Sequence, residues 1–416
     1  MRIHLLKLFL NESGKRRRKT GLITFALAWG SLSLLLLMSF GRGLSETFQE
    51  SFKGLGDRLL IISGGQSSMV HQGLPKGRKI SLYPEDVELI RAQAQGIRYI
   101  SPESMTTLTL SYRGKETGRN VSGVYPEFAN MRNQIPQEGG RFLNETDERE
   151  RRRVVFLGWA VAENLFPDEE AVGKRVLINR VPFTVIGVMK KKLQTSSYEG
   201  TDAEMVYIPF SSYIQFQENR QIYMIHVEPE SGGGAAGVEK KIKELLGRKY
   251  RFNPEDTYAL NVWDTIEQAQ EGAKVFMGIQ IFLLLIGSLT LIIGAVGVTN
   301  LMYALVKERT REIGIKMALG AKRRHIVAQF LLETLLIFVR GTLWGGLVAF
   351  NIVGLVRLIP VDYDFTGVQS YLLRPVFSTD ILVLFTVLMG VLVFFSGIFP
   401  ALRASRLNPV DALRYE

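Results

Sequence analysis

Four long apolar stretches alternate with polar segments along this chain of 416 residues. The uncharged run in the first stretch holds about 20 residues, enough to cross a hydrocarbon core of about 30 Å. The pattern therefore predicts four membrane-spanning helices, which cover residues 21–42, 273–306, 326–358 and 381–402. The second stretch is longer than a bilayer is thick, so we expect it to tilt or to extend outwards. A cleaved signal peptide is the alternative for the first stretch, but its apolar core should be shorter and end at small residues.

The long polar segment at residues 43–272 has the composition of a water-soluble domain. Short apolar or alternating runs predict strands, and helical spacing predicts helices between them. We predict strands at 59–62, 105–112, 120–124, 153–157, 175–179, 183–189, 205–208 and 223–227, and helices at 82–94, 159–165 and 238–246. Short strands mixed with helices in this way indicate an α+β domain. The predicted fold class is thus a membrane protein with four transmembrane α-helices and a large α+β domain between helices 1 and 2.

Apolar residues at helical spacing lie at both ends of this domain, and they predict stalk helices that continue the first two spans. The second set is spaced alternately by four and three residues, which favours packing against a partner helix. The predicted stalk-packing residues are Leu44, Phe48, Phe52 and Leu55 after the first span and Val262, Ile266, Ala269, Ala273 and Phe276 before the second. Two unrelated amphipathic helices are the alternative.

Basic residues are concentrated beside the spans. The formal net charge is +11, yet residues 43–272 hold 29 Lys and Arg against 31 Asp and Glu. By the positive-inside rule, the amphipathic N-terminal segment 1–20, the loop 307–325 and the tail 403–416 are predicted to be cytoplasmic. The domain 43–272 and the short loop 359–380 are then extracytoplasmic. The excess charge suits contact with anionic membrane lipids, whereas nucleic-acid binding would need it on one folded face and is not expected.

The loop between the second and third spans has an unusual order of residues, with Glu308–His325 reading ERTREIGIKMALGAKRRH. As a helix it places Ile313 and Met317 on one face. Gly320 is predicted to end this helix, as glycine commonly does just past a C-terminus. Charge alone favours a cluster that only fixes membrane topology.

That order of residues closely resembles the cytoplasmic loop of the FtsX-like, MacB-type ABC transporter permeases. The C-terminal segment Pro400–Glu416 is similar to the end of the same permeases. The soluble block resembles the MacB-type periplasmic core domain at Gly140-Arg141, Val154–Gly158, Leu165-Phe166, Val172-Gly173-Lys174, Val181–Phe183 and Val185–Val188. The resemblance implies the type VII ABC fold in a bacterial inner membrane, with two subdomains in the extracytoplasmic domain.

In that family the cytoplasmic loop is a coupling helix that docks on an ABC ATPase. The resemblance therefore implies ATPase contacts at Glu308, Arg309, Thr310, Arg311, Glu312, Gly314, Lys316 and Gly320. It also implies a cytoplasmic ATPase partner that carries ATP and Mg, and a homodimer or heterodimer of permease chains. A periplasmic membrane-fusion adaptor and an outer-membrane channel are further expected partners.

The sequence contains no motif for catalysis, a metal or a cofactor. Gly14-Lys15-Arg16 and Gly173-Lys174-Arg175 lack the hydroxyl residue and the first glycine of a phosphate-binding loop. The four histidines, at positions 4, 71, 226 and 325, do not have metal-ligand spacing. There is no cysteine, so disulfides are excluded. Because only residues 1–20 precede the first span, we expect the ATPase to be a separate polypeptide.

We expect a permease subunit that converts ATP hydrolysis by its partner into movement of the periplasmic domain, or mechanotransmission, and so drives efflux of a periplasmic substrate. Two alternatives are a lipoprotein- or lipid-extracting permease like LolC and LolE, and an FtsX-like activator of a cell-wall enzyme. Glu333 and Arg340 lie seven residues apart in the third span. Ionisable groups at membrane depth are often functional, but an interfacial or intrahelical arrangement would explain this pair as well.

Overall fold

The computed structural model describes residues 17–56, 58–192, 194, 198–216, 220–230, 234–359, 374–408 and 412. Two compact units are present. We call them the helical unit, with the described residues of 17–47, 275–359 and 374–412, and the sheet unit, with those of 48–274. Our predictions for residues 1–16 and 360–373 and for most of the tail after residue 408 lie outside the described residues.

The order of elements alternates long helices with a run of short strands. In chain order these are α1 (Arg17–Leu55), β1 (Leu60–Gly64), α2 (Pro84–Gln93), β2 (Ile97–Tyr112), β3 (Lys115–Val124), α3 (Phe128–Met131), α4 (Glu145–Arg149), β4 (Val154–Leu157), α5 (Trp159–Leu165), β5 (Arg175–Ile178), β6 (Val181–Val188), β7 (Val206–Pro209), α6 (Phe210–Tyr213), β8 (Met224–Pro229), α7 (Ala235–Tyr250), β9 (Leu260–Asp264), α8 (Thr265–Glu308), α9 (Thr310–Ala318), α10 (Arg323–Arg357) and α11 (Thr379–Ser405). Short 3₁₀ turns lie at Asp202–Glu204 and Ile214–Phe216.

Four helices, α1, α8, α10 and α11, are long and apolar enough to cross a membrane by their length and composition. The four predicted spans fall within them. Their outer faces carry many large apolar side chains, such as Phe282, Leu343 and Phe394, each more than half exposed. Such a surface suits a lipid environment, because lipid tails are as apolar as these side chains.

Glycines let the helices of the helical unit approach one another closely. A Cβ at Gly287 of α8 would lie 2.4 Å from the Leu34 side chain of α1, and a Cβ at Gly345 of α10 would lie 2.3 Å from the Ala28 carbonyl oxygen. Gly397 of α11 packs against Thr334 of α10 in the same way. Small residues at helix crossings are typical of membrane bundles. These glycines therefore act within one chain, which the sequence alone left open.

The nine strands of the sheet unit are joined into one sheet with a closed part and an open part. The order is β3-β7-β4-β6-β5-β2-β8-β1-β9, and β2 also pairs with β3. Six strands, β2 to β7, thus form a closed ring, while β2, β8, β1 and β9 form an open four-stranded sheet. The 16-residue strand β2 belongs to both, since its first half pairs with β8 and its second half pairs with β3 and β5.

Each part of the sheet has its own hydrophobic cluster. The ring strands share one cluster, with Leu110, Val155 and Val185 fully buried. Helices α2 and α7 pack against the four-stranded sheet in a second cluster, where Val238 and Ile242 of α7 meet apolar residues of β1 and β8. The spacing of those two residues on α7 is the i, i+4 repeat of an amphipathic helix. Periodicity in the sequence thus reports real buried faces here.

All eight predicted strands and all three predicted helices of the domain have a counterpart in the structure, although β2 begins eight residues and β3 five residues before the predicted starts. The prediction missed the first half of β2, the strand β9 and the short helices α3, α4 and α6. The prediction for Val262 was wrong in its element: this residue lies in β9, opposite Ile62 of β1, and the stalk helix begins only at Thr265. A strand with alternating apolar and polar residues that leads directly into a helix can resemble helical spacing over one turn.

Candidate functional site

The loop helix α9 has defined ends. Arg309, with φ −101° and ψ 16°, is the single non-helical residue between α8 and α9. The Thr310 hydroxyl donates to the carbonyl oxygens of Val306 and Lys307, at 3.0 and 2.9 Å. At the other end, the Gly320 N–H donates to the Met317 carbonyl and the Ala321 N–H to the Lys316 carbonyl, 3.1 and 3.0 Å away. With Gly320 at φ +93°, this is a Schellman cap, which needs a left-handed residue after the helix.

One face of α9 is buried in the helical unit. Ile313 is 4% exposed and belongs to the same hydrophobic cluster as Leu305 of α8 and Phe330 of α10. Gly314 is also buried, and Met317 packs partly against the cluster. The predicted face of Ile313 and Met317 is therefore present, and it fixes α9 against the ends of α8 and α10.

The opposite face of α9 points away from the rest of the helical unit. Leu319 is 83% exposed and Ile315 44% exposed. Of the predicted ATPase-contact residues, the exposed ones are Glu308, Arg311, Glu312, Lys316 and Gly320, the partly buried one is Arg309, and the buried ones are Thr310 and Gly314. Charged side chains around exposed apolar ones are the usual composition of a protein-binding surface. Ile315 and Leu319 are part of this surface, although sequence reasoning did not select them.

Arg309 and Glu333 form an ion pair within the helical unit. The guanidinium Nη1 lies 3.3 Å from the carboxylate Oε2, and Glu333 is only 6% exposed. Glu333 of α10 thus pairs with the junction between α8 and α9, rather than with Arg340 on its own helix. An arginine held in this way at the α8–α9 junction fixes the direction in which α9 leaves α8.

The predicted stalk residues lie in two helices and one strand. In the sheet unit, Phe48 of α1 packs so closely on Gly272 of α8 that a Cβ there would lie 2.3 Å from the ring. Leu55 is fully buried, and Ile266 packs against the α2–α7 cluster. Ala269 and Ala273 are partly buried, as are Leu44 and Phe276 in the helical unit, while the side chain of Phe52 lies outside the described residues. Besides Leu55, α1 buries three small polar residues here: Ser45, Thr47 and Ser51.

The first residue of α8 is tied to the residues that follow α1. The Thr265 hydroxyl accepts a hydrogen bond from the Leu59 N–H at 2.8 Å and lies 3.0 Å from the Gly56 carbonyl oxygen. In return, the Thr265 N–H donates to the Leu59 carbonyl, 2.9 Å away. The end of one stalk helix and the start of the other are thus held by buried hydrogen bonds at the edge of the sheet.

A buried charged network binds the C-terminal end of α1. The Lys192 ammonium donates to the carbonyl oxygens of Gly54 and Arg132, at 2.8 and 2.7 Å, and pairs with Asp202 at 2.7 Å. Arg132, also buried, pairs with the other oxygen of Asp202 at 2.7 Å. A cation at a helix C-terminus also interacts favourably with the helix dipole. This network therefore anchors α1 to the ring strands.

Electrostatics in this network keep Asp202 ionised. Burial alone would raise the pKa of this carboxyl, but Arg132 and Lys192 outweigh it and hold the pKa well below its ordinary value. Burial lowers the pKa of Lys192, and Asp202 opposes that effect. Two cations around one buried carboxylate form a compensated cluster, since an isolated charge would be expensive at this depth.

A second buried polar network is centred on Glu103 of strand β2, next to the Asp202 network. Glu103 lies 2.7 Å from the His226 ring nitrogen Nε2, accepts from the Ser122 hydroxyl at 2.6 Å and accepts from Tyr198. Burial raises the pKa of Glu103, but hydrogen bonding and charge from His226, with the charge of Arg132, bring it below its ordinary value. Not every polar atom here is satisfied: among the described residues, Arg132 Nε and Nη1 and His226 Nδ1 are buried without a hydrogen-bond partner. Within the described residues no group of His, Asp and Glu is arranged to hold a metal ion.

Fold and loop together define a membrane protein with four apolar helices, a sheet unit between the first two in chain order, and one small amphipathic helix between the second and third. Comparison with known families agrees with that class. The MacB-like periplasmic core domain matches residues 20–245, and the FtsX-like permease C-terminal region matches residues 284–409. The chain belongs to the FtsX-like, MacB-type ABC permease family, as its sequence motifs predicted.

Individual relatives carry the same family name. The macrolide export ATP-binding/permease protein MacB of Bdellovibrio bacteriovorus is 30% identical over 399 residues, and that of Chlorobaculum tepidum 31% over 401 residues. Each alignment covers 96% of this chain and 59% of the relative, so the chain spans about three-fifths of their length. Among solved structures, the periplasmic region of MacB from Actinobacillus actinomycetemcomitans is similar with a TM-score of 0.43 and 22% identity, over 53% of this chain and 96% of that one.

Proposed function

We propose that this chain is the membrane part of an ABC transporter in a bacterial inner membrane and transmits force from an ATPase to its sheet unit. The ATPase lies outside the 416 residues, which contain no phosphate-binding loop motif. Its ATP and Mg would bind there and not to this chain. In this proposal α9 is the coupling helix, and the residues that contact the ATPase are on its exposed face.

The observation that carries the proposal is the continuity between α9 and the sheet. Helix α8 runs without interruption from Thr265, at the end of β9, to Glu308, one residue before α9. Its 44 residues correspond to a rod of about 66 Å. A push on α9 would therefore move a stiff element whose other end is hydrogen-bonded into the edge of the sheet.

The attachment of α1 to the sheet unit supports the same mechanism. The end of α1 is fixed by Lys192 and by Asn133, whose side-chain amide donates to the Lys53 carbonyl. In the described residues, both stalk helices are hydrogen-bonded to the sheet unit at their ends, α1 at Gly54 and α8 at Thr265. Shifting the population of such a two-state device from 1:99 to 99:1 takes about 5.5 kcal/mol, which nucleotide binding to the ATPase would supply.

We further propose that the ring and the four-stranded sheet are the two subdomains of the extracytoplasmic domain. Their separate hydrophobic clusters support this division. With basic segments on the cytoplasmic side, α9 would face the cytoplasm and the sheet unit the periplasm or the cell exterior. A dimer of permease chains is part of the proposal, as are an adaptor and an outer-membrane channel in a Gram-negative host.

The proposed cargo is a periplasmic substrate for efflux, because the curated relatives described above are named as macrolide exporters. Neither lipoprotein extraction nor activation of a cell-wall enzyme is favoured by those relatives. Force transmission can be tested without knowing the substrate, because variants of α8 and α9 are enough to test it.

The proposal is tested by reversing two adjacent charges on the exposed face of α9. The double variant Arg311→Glu, Glu312→Arg keeps the net charge and should abolish stimulation of the ATPase in proteoliposomes, because docking would bring like charges together. The same reversal at Arg149 and Glu150, an exposed Arg-Glu pair at the end of α4, is the matched control and should leave stimulation unchanged. Full stimulation by the α9 variant, with normal membrane insertion, would reject the coupling role.

A further inference from the structure

A groove on the surface of the helical unit lies between α1 and α10. It has a volume of about 700 Å³ and runs along α1 from Thr20 to Leu32. Its walls are mostly apolar, and two of the four tryptophans of the chain line it: Trp29 is 59% exposed and Trp344 64% exposed. Gly345, where α10 packs closely on α1, is part of its lining. The groove is thus a fixed feature of the bundle.

One charged side chain lines this groove, and it has no partner in the described part of the chain. Arg340 of α10 is exposed, and its guanidinium makes no hydrogen bond, ion pair or ring contact with any described residue. The Thr24 hydroxyl beside it is likewise without a hydrogen bond in the described residues. An arginine within an apolar span is costly unless an anion or water satisfies it.

A second copy of this chain could not supply the missing anion from its own spans. The four predicted spans contain a single carboxylate, Glu333. That carboxylate is buried and already pairs with Arg309 of the same chain. An anion that binds Arg340 would therefore come from outside the membrane-spanning protein segments.

The depth of Arg340 is right for a lipid phosphate. The neighbouring Gly341 lies against Thr24 and Leu27 of α1. Thr24 is one helical turn, or about 6 Å, from Thr20, where the basic run Arg17–Lys19 gives way to uncharged residues. Arginine side chains extend towards the headgroup layer over such distances. The guanidinium can thus reach phosphates at the end of the bilayer where α1 begins.

We propose that this groove binds one anionic phospholipid, with its phosphate on the Arg340 guanidinium and its acyl chains along the Trp29 and Trp344 rings. The basic run at the start of α1 adds positive charge at the same end and favours a lipid with a net negative charge over a zwitterionic one. Exposed indole rings at this depth are suited to contact both the headgroup region and the chains. Such a lipid would hold α1 and α10 together independently of any transported substrate.

The test uses the full chain in phosphatidylcholine proteoliposomes that contain a small fraction of phosphatidylglycerol with brominated acyl chains. Bromine quenches nearby tryptophans, so Trp29 and Trp344 report a lipid held in the groove, while Trp159 and Trp263 of the sheet unit give the background. We expect brominated phosphatidylglycerol to quench about fivefold more effectively per molecule than brominated phosphatidylcholine. Equal quenching by the two lipids in the unmodified protein would overturn the proposal without any variant.

Variants assign the preference to the arginine. Arg340→Gln should abolish it, and Arg340→Lys should retain it. Arg357→Gln removes one positive charge from the other end of the same helix and should leave the preference unchanged. If Arg340→Gln keeps the preference, the phosphate lies elsewhere and the proposal fails.

A final arm distinguishes the lipid from a second copy of the chain. Because the protein has no cysteine, Trp344→Cys introduces a single thiol. Efficient disulfide cross-linking of two Trp344→Cys chains in membranes would show that the groove is an interface between copies, which contradicts lipid occupancy. Absence of cross-linking is the result that the proposal requires.

Discussion

Lys192 shows how one residue can join a helix to a sheet. Its ammonium binds two carbonyl oxygens and one carboxylate, and its side chain is only 14% exposed. Sequence reasoning gave no sign of this role. The partners Gly54, Arg132 and Asp202 are dispersed along the chain, and a KKK run at positions 190–192 looks like an ordinary solvated patch.

Replacing Lys192 by Met should lower the free energy of unfolding by about 3 kcal/mol, because it removes one member of a buried ion cluster and leaves the end of α1 without its cation. Thermal unfolding of the purified protein, followed by tryptophan fluorescence, measures this change. Lys191→Met is the matched control. Its side chain is 46% exposed and pairs with Glu163 at the surface, so a loss of less than about 1 kcal/mol is expected. Equal stability of the two variants would contradict the anchoring role.

Glu148 makes the stability of the sheet unit depend on pH. Burial raises the pKa of its carboxyl from an ordinary 4.5 to about 7, although the Ser211 N–H donates to it at 3.0 Å. Between these two values the folded protein keeps a proton that the unfolded chain has lost. Stability should therefore decline as the pH rises from 4.5 to 7 and stay lower above that range.

The variant Glu148→Gln removes this titration and should flatten the decline. At pH 8 we expect it to be more stable than the unmodified protein by up to about 3 kcal/mol, whereas at pH 4 the two should be nearly equal. Melting temperatures measured across this range provide the test. A difference that is the same at pH 4 and pH 8 would show that the carboxyl is not the cause.

At the scale of elements, the glycines of α10 divide into those that touch a neighbour and those that do not. A Cβ at Gly345 would lie 2.3 Å from the Ala28 carbonyl oxygen and 2.8 Å from the Ser31 side chain, so α1 and α10 would have to separate. A Cβ at Gly354 would meet nothing within 4 Å. The two positions on one helix thus form a natural pair for comparison.

Gly345→Ala should destabilise the protein in detergent by about 1 to 3 kcal/mol, as overpacking of a close contact usually does. Gly354→Ala should be neutral or slightly stabilising, because alanine favours a helix over glycine. Scanning fluorimetry of both variants measures the difference. A melting temperature for Gly345→Ala at or above that of Gly354→Ala would mean that α1 and α10 do not pack at this crossing.

The sequence specified local elements better than long-range pairings. Periodicity identified α5 and α7, and the cap at Gly320 followed from one glycine after a helical run. The closed ring could not be deduced in this way, because β3 pairs with β7 and β4 with β6 over long stretches of chain. The stalk prediction was incomplete for a related reason: it considered apolar residues, whereas α1 also buries Ser45, Thr47 and Ser51, which no hydrophobic pattern reveals.

At the scale of the whole molecule, the proposed topology places α9 and the sheet unit on opposite sides of the membrane. Labelling at two exposed positions can test this topology: Leu319 at the end of α9 is 83% exposed, and Tyr258 before β9 is 68% exposed. Since the chain has no cysteine, Leu319→Cys and Tyr258→Cys each create a unique label site. A membrane-impermeant maleimide added to intact spheroplasts should label Tyr258→Cys and leave Leu319→Cys unmodified.

Detergent solubilisation before labelling is the control and should make both sites reactive. If both thiols react in intact spheroplasts to the same degree, the two positions share one side and force transmission across the bilayer is ruled out. Reaction of Leu319→Cys alone would invert the proposed orientation.

The single non-helical residue at Arg309 has a consequence for how this family of sequences can change. Because α9 follows the 44-residue α8 with one residue between them, inserting or deleting a residue there would rotate the exposed surface of α9 by about 100° about the axis of its own helix. Substitutions on that surface would alter an interaction gradually, whereas a change in length would remove it at once. Homologous chains should therefore vary in the residues of this junction far more than in their number.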